Sequence, residues 1–136
     1  MELHKMICVE IDSKNSYLLK EFIEKNYNKG FRYYDSRSFD CIENHLLTNL
    51  YYEDGQCVGY GHLDIEGRIW LGIMVAEGLR GKGYGSLIMD DLISNSTEEI
   101  YLTVDKSNPA KNLYTKKGFE VLEEKENHFL MIRKNK

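Results

Sequence analysis

Between Arg80 and Gly85 the chain reads RGKGYG, with glycine at alternate positions and two cations among them. Glycines so spaced let the main chain turn tightly and let a ligand approach where a side chain would block it. If a helix follows, the N–H groups of its first turn and the positive end of its dipole form a site for phosphate oxygens. Arg80 and Lys82 would supply full charges beside it. Taken alone, the three glycines fit a plain strand-to-helix connection equally well. Two other phosphate loops fit less well. A Walker loop needs Gly-Lys-Ser/Thr at its end, and the dinucleotide fingerprint needs a glycine where Ser86 stands, within a parallel βαβ repeat that this chain lacks.

The elements around the loop give it its meaning. Lys5 to Ile11 reads as a strand, and Ser13, a helix-capping residue type, precedes an amphipathic helix with Leu18, Leu19, Phe22 and Ile23 on one face. Asn28 to Gly30 is expected to stop that helix. The stretch FRYYDSRSF, Phe31 to Phe39, is aromatic and basic without periodicity, and a short helical pattern through Ile42 and Leu46 follows. Asp54-Gly55 joins two strands, Leu47 to Glu53 and Gln56 to Ile65, and Glu66-Gly67 turns into a third, Arg68 to Ala76. RGKGYG then leads into the helical run Leu87, Ile88, Met89, Leu92 and Ile93. A strand from Ile100 to Val104, a helix from Asn108 to Lys117 closed by Gly118, and a hairpin of Phe119 to Leu122 with His128 to Ile132 complete the order. The one proline, Pro109, sits where the first turn of a helix tolerates it. Neither repeats nor a linker divides the chain, so a single domain spanning residues 1–136 is expected.

The 136 residues can bury one core without disulfides or metal, and 42% hydrophobic content describes an ordinary globular protein. A formal charge of −4 repels polyanions, so nucleic acid is not an expected partner, and it mildly favours an amine-bearing ligand. Cys8, Cys41 and Cys57 are odd in number and lack CxxC spacing, which suggests neither a disulfide framework nor a metal site. The N-terminal MELHKMICVEI is too charged for a signal peptide and no run approaches a membrane span, so a cytoplasmic protein is expected.

The sequence resembles the GNAT superfamily of N-acetyltransferases. Arg80 to Gly85 matches the family's [RQ]xxGx[GA] after its fourth strand, and LGIMVAEGLRGKGYG reads like that motif throughout. SNPAKNLYTKKGF, Ser107 to Phe119, matches NxxAxxLYxxxGF with the alanine shifted one place forward. The resemblance covers essentially the whole chain. It implies an α/β fold of the α+β, mixed-sheet kind: an antiparallel N-terminal meander and splayed central strands, with helices on both faces. It also implies acetyl-CoA as co-substrate, lying where strand Ile69 to Ala76 and strand Ile100 to Val104 part. Ile73, Met74 and Val75 would meet the pantetheine arm by backbone, Arg80, Gly81, Lys82, Gly83, Tyr84, Gly85 and Ser86 would hold the pyrophosphate, and Asn108 would contact the cofactor from the other side.

The implied reaction moves an acetyl group from acetyl-CoA to a primary amine by direct attack. Tyr114 stands at the family's tyrosine position and is the expected general acid toward the leaving thiolate; without the motif it would read as a packing residue. The glutamate that one branch of the family carries on the fifth strand is Thr103 here, which leaves the base open. His62 and Asp64 are the candidates carried forward, with Glu66 and Asp105 also near strand ends. Phe31, Arg32, Tyr33, Tyr34 and Arg37 fall where the family caps its acceptor site. A nucleotide-linked amino sugar suits aromatics with arginines, polyamines, aminoglycosides and peptide N-termini stay open, and these aromatics could equally pad a helix. The expected partner is thus a small-molecule amine, with a homodimer as an open alternative. A non-catalytic CoA-binding module on the same fold is the competing reading.

Overall fold

The computed structural model describes residues 6–26, 31 and 33–134. Its elements in chain order are β1 (Ile7–Glu10), α1 (Ser16–Asn26), two short 3-10 turns (Tyr33–Asp35 and Phe39–Asn44), β2 (His45–Glu53), β3 (Gln56–Ile65), β4 (Ile69–Val75), α2 (Tyr84–Ser94), β5 (Ile100–Asp105), α3 (Lys111–Lys116), β6 (Glu120–Glu124) and β7 (His128–Arg133). They build one seven-stranded sheet in the order β1-β2-β3-β4-β5-β7-β6. The mixed α/β class and the antiparallel meander are as the sequence implies. Asp54 and Gly55 both take positive φ, 52° and 79°, the backbone that a two-residue hairpin demands, and they close β2 on β3 with Glu53 opposite Gln56.

All neighbours are antiparallel except β4 and β5, which run parallel and pair only at Ile69 with Ile100 and Trp70 with Tyr101. Beyond those pairs the two strands part, while β5 stays paired along its length with β7. From Leu71 to Val75, β4 therefore turns an unpaired edge toward a gap in the middle of the sheet. Each face carries its own core. Ile88, Met89 and Leu92 of α2 pack with Leu71, Leu102, Tyr114 and Phe119 on one face; Leu19, Phe22 and Ile23 of α1 pack with Tyr60 and Met74 on the other. Gly59 and Gly61 sit directly beneath Ile88 and Leu92, where a Cβ would collide, so their small size sets how closely α2 approaches the sheet.

Several boundaries differ from the expectation. Asp12 and Asn15 tie residues 12–15 into a turn through Asp12 N–H to Asn15 Oδ1 and Lys14 N–H to Asp12 Oδ1, so α1 starts at Ser16 rather than at Ser13. Leu46 belongs to β2, not to a helix, because the 3-10 turn ends at Asn44. Helix α3 starts at Lys111, preceded by a turn in which Asn108 Oδ1 accepts the Ala110 N–H at 2.9 Å. The stop expected at Asn28 to Gly30, and Arg32, lie outside the described residues. Among the described residues no helix is long and apolar enough to cross a membrane.

Candidate active site

The gap between β4 and β5 joins two cavities. The larger, about 920 Å³, runs from Ile73, Met74 and Val75 past Arg80 to the start of α2, with Asn108 and Leu113 opposite. The smaller, about 410 Å³, lies under Phe31 and Tyr33 with His62, Asp64 and Trp70 around it. Ile73, Asp105, Asn108 and Tyr114 line both, so the cavities meet at the gap.

The glycine loop shapes the far end of the larger cavity. Gly81 and Gly83 take φ of 78° and 91°, which L side chains rarely adopt. Gly83 caps α2 without a side chain, and the first hydrogen bond inside the helix is Leu87 N–H to Gly83 C=O at 3.3 Å. The N–H groups of Gly85 and Ser86 thus have no acceptor within the helix, and both residues line the larger cavity. Two residues expected there contribute differently. Tyr84 turns its phenol away to donate to Glu53 Oε1 at 2.5 Å, leaving only its backbone to the loop. Lys82 is exposed and lies outside the cavity lining, whereas Arg80 is part of it. On β4, Met74 buries its side chain against α1, so only its backbone can serve a ligand.

The smaller cavity holds a hydrogen-bonded cluster that the sequence did not disclose. Tyr33 donates to Asp64 Oδ2 at 2.6 Å, and its oxygen lies 2.7 Å from His45 Nε2. His45 Nδ1 lies 2.8 Å from Thr48 Oγ1. Since a carboxylate only accepts, a consistent proton arrangement has Thr48 donating to His45, His45 to Tyr33 and Tyr33 to Asp64. A second chain runs from Tyr34 to Tyr60 at 2.6 Å and from Tyr60 to His62 Nδ1 at 2.5 Å. The His62 ring stands 4.4 Å from the Tyr33 ring and 4.7 Å from the His45 ring, and among the described residues none hydrogen-bonds its Nε2. Burial, with His45 and Arg37 nearby, holds its pKa well below the usual 6.5, so the imidazole is neutral at pH 7. Burial lowers His45 as well, against the opposing pull of Asp64. His45 and Thr48 gave no sequence signal because the first residues of β2 carry no motif.

His62, Asp64 and Tyr114, expected as base and acid, are brought to one region. Tyr114 comes from the α2 face, packed edge-on against Phe119 with ring centroids 6.2 Å apart. Its hydroxyl has no protein partner among the described residues, and burial pushes its pKa up to about 12. Asp64 is only 3% exposed. Glu66 and Asp105 line the smaller cavity too, as does Thr103. Arg37 lies 4.2 Å over the Tyr33 ring and 3.7 Å from Glu66.

A sheet opened between two parallel strands, beside a glycine loop that starts a helix, defines an acyltransferase architecture. Residues 13–119 match the sequence model described as the acetyltransferase (GNAT) family, and the chain belongs to that family. No curated protein matches the sequence. Solved structures are similar in fold. An acetyltransferase of the GNAT family from Streptococcus pneumoniae superposes with a TM-score of 0.78 at 19% identity, covering 97% of this chain and 100% of that one. An acetyltransferase from Salmonella typhimurium, solved with its cofactor acetyl-CoA, gives 0.73 at 14% identity over 97% and 95%. An N-acetyltransferase from Thermoplasma acidophilum in complex with coenzyme A gives 0.69 at 16% identity over 96% and 99%.

Proposed function

We propose that the protein transfers the acetyl group of acetyl-CoA to a primary amine by direct attack. The observation that carries this reading is the meeting of two cavities at Ile73, Asp105, Asn108 and Tyr114, one suited to a phosphate-bearing chain and the other to an amine. The larger cavity fits CoA on its own terms: the N–H groups of Gly85 and Ser86 in the first turn of α2, Arg80 beside them, and a β4 edge unpaired beyond Trp70 that an extended amide-bearing arm joins as an added strand. Asn108 spends its oxygen on Ala110 and keeps its amide hydrogens for the ligand.

An alkylamine with a pKa near 10.4 is neutral in only about one molecule in a thousand at pH 7, so the site must accept a proton. In this reading the neutral amine attacks the thioester carbon, a C–N bond forms and the carbonyl electrons move to oxygen. Backbone N–H groups along β4 near Ile73 stabilise that oxyanion. Collapse breaks the C–S bond, the nitrogen proton passes to His62 Nε2, and the thiolate departs toward Tyr114. For His62 to accept, its Nδ1–H donates to Tyr60 and Tyr60 donates to Tyr34, an arrangement that their distances allow. Tyr114 acts as a hydrogen-bond donor rather than by full transfer. From about 12 to a thiol near 8.5 the proton would climb roughly 5 kcal/mol.

The acceptor cavity is acidic, with Asp64, Glu66 and Asp105 against Arg37 among its described lining residues, and Arg37 already faces Glu66. That balance favours a cationic acceptor over a phosphorylated one such as a nucleotide-linked amino sugar. The test is thiol release from acetyl-CoA over a panel of amines, with products identified by mass. Acetylated amine is the expected result. CoA binding without product from any amine would instead leave a non-catalytic CoA-binding module.

A further inference from the structure

Asp64 is a buried carboxylate facing the smaller cavity, where the cation among the described lining residues, Arg37, is already engaged over the Tyr33 ring and beside Glu66. Tyr33 donates to its Oδ2, whereas none of the described residues hydrogen-bonds Oδ1, from which His45 Nε2, on a ring held neutral, stands 3.9 Å away. Burying a charge in this way is costly unless a counter-charge arrives. Around it the cavity lining includes Trp70, an aromatic surface of the kind that attracts a cation, and the carboxylate of Glu66.

The placement of Asp64 relative to the gap sets a length. His62 and Asp64 are alternate residues on β3 and share a face, so they stand about 7 Å apart along the strand. His62 lies opposite Gly72, next to Ile73 at the junction of the cavities, while Asp64 lies opposite Trp70, toward the closed end of the gap. A nitrogen held as a cation at Asp64 cannot attack, since its lone pair is protonated. The attacking nitrogen belongs beside His62, roughly two residues away.

Resting on the acetyl-transfer reading, we propose that the acceptor is a linear diamine whose distal ammonium is anchored by Asp64 while its other nitrogen attacks beside His62. At about 1.5 Å per bond along a tetrahedral zigzag, four to six carbons separate nitrogens by roughly 6–9 Å. The cavity of about 410 Å³ has room for such a chain. Asp64 is thus a specificity residue that positions the substrate, and His62 alone takes the proton.

The experiment compares cadaverine with aminopentanol, which replaces one nitrogen by a hydroxyl, by kcat/KM at saturating acetyl-CoA. Binding of cadaverine to the CoA-bound protein is measured alongside by calorimetry. The wild-type chain should prefer cadaverine by about 100-fold, the loss expected when a buried charge has no partner. In Asp64→Asn that preference should fall to within about threefold, with calorimetric affinity falling in step. The wild-type comparison needs no variant, so a folding defect in Asp64→Asn does not blunt it. Equal acetylation of both amines would overturn the anchor while leaving acetyl transfer intact. Cadaverine binding that depends on Asp64, with no acetylated product from any amine, would keep the anchor and remove the transfer reading. Neither binding nor product would remove both.

Discussion

The imidazole of His62 lies across Gly72, its register partner on β4, with the Cε1–Nε2 edge of the ring over the space where a Cβ would stand. Gly72 is therefore what allows a full-sized ring to lie flat against the sheet at the gap. Gly72→Ala should push the ring out, costing about 1–3 kcal/mol of stability, as overpacking does, and lowering acetyl transfer with it. Urea unfolding of Gly72→Ala, His62→Ala and the double variant tests the pairing. The double variant should be more stable than the sum of the single losses predicts, because removing the ring removes the clash. Strict additivity would mean that the ring and the glycine do not constrain one another.

Local signals carried much of this architecture. Asp54-Gly55 announces a hairpin because two successive positive φ values admit few other residue pairs, and RGKGYG followed by an apolar helical run announces a glycine loop at a helix start. The acceptor side was far less legible. Tyr33 reaches Asp64 across 31 positions and Tyr34 reaches Tyr60 across 26, and neither pair has a period or a spacing that links its members in sequence. His62 and Asp64 could be named as titratable residues sharing a strand face. That one has a free nitrogen and the other an uncompensated oxygen depends on partners that only folding supplies. Nor does the loop motif disclose that the Tyr84 phenol donates to Glu53, 31 positions away.

Tyr114→Phe should lower kcat by about 10- to 100-fold while leaving the affinity for acetyl-CoA within about twofold. Among the described residues the hydroxyl has no partner to lose, so its removal leaves none of their buried groups unsatisfied, and the ring keeps its contact with Phe119. Stopped-flow measurement of turnover beside calorimetry with CoA separates the two effects. Unchanged turnover would remove Tyr114 from the reaction.

Gly83→Val should weaken CoA binding through the backbone. A Cβ at this position meets no protein atom within 4 Å, so the penalty does not come from crowding inside the fold. It comes from φ of 91°, which a β-branched residue resists at a cost of about 1–3 kcal/mol, and relaxing that angle turns the N–H groups of Tyr84 to Ser86 away from the phosphates. A dissociation constant for CoA raised about 10-fold or more is expected. An unchanged constant, with the variant folded by circular dichroism, would show that these amides do not hold the pyrophosphate.

Acid should destabilise the protein through His62. Its folded pKa lies well below 6.5 because the ring is buried, whereas the unfolded chain titrates near 6.5. Above that pH both states are neutral at this residue and it contributes no pH dependence. As pH falls below 6.5 the unfolded state takes up a proton that the native state refuses, so stability drops by up to about 1.4 kcal/mol per pH unit until the folded pKa is reached. His45, also lowered, adds a shallower dependence of the same sign. Urea unfolding between pH 5 and pH 7.5 reads the slope directly, and His62→Phe should flatten it by about one proton. If wild type and His62→Phe lost stability equally on acidification, the ring would be titrating as freely in the fold as in the open chain, and the neutral base at the gap would go with it.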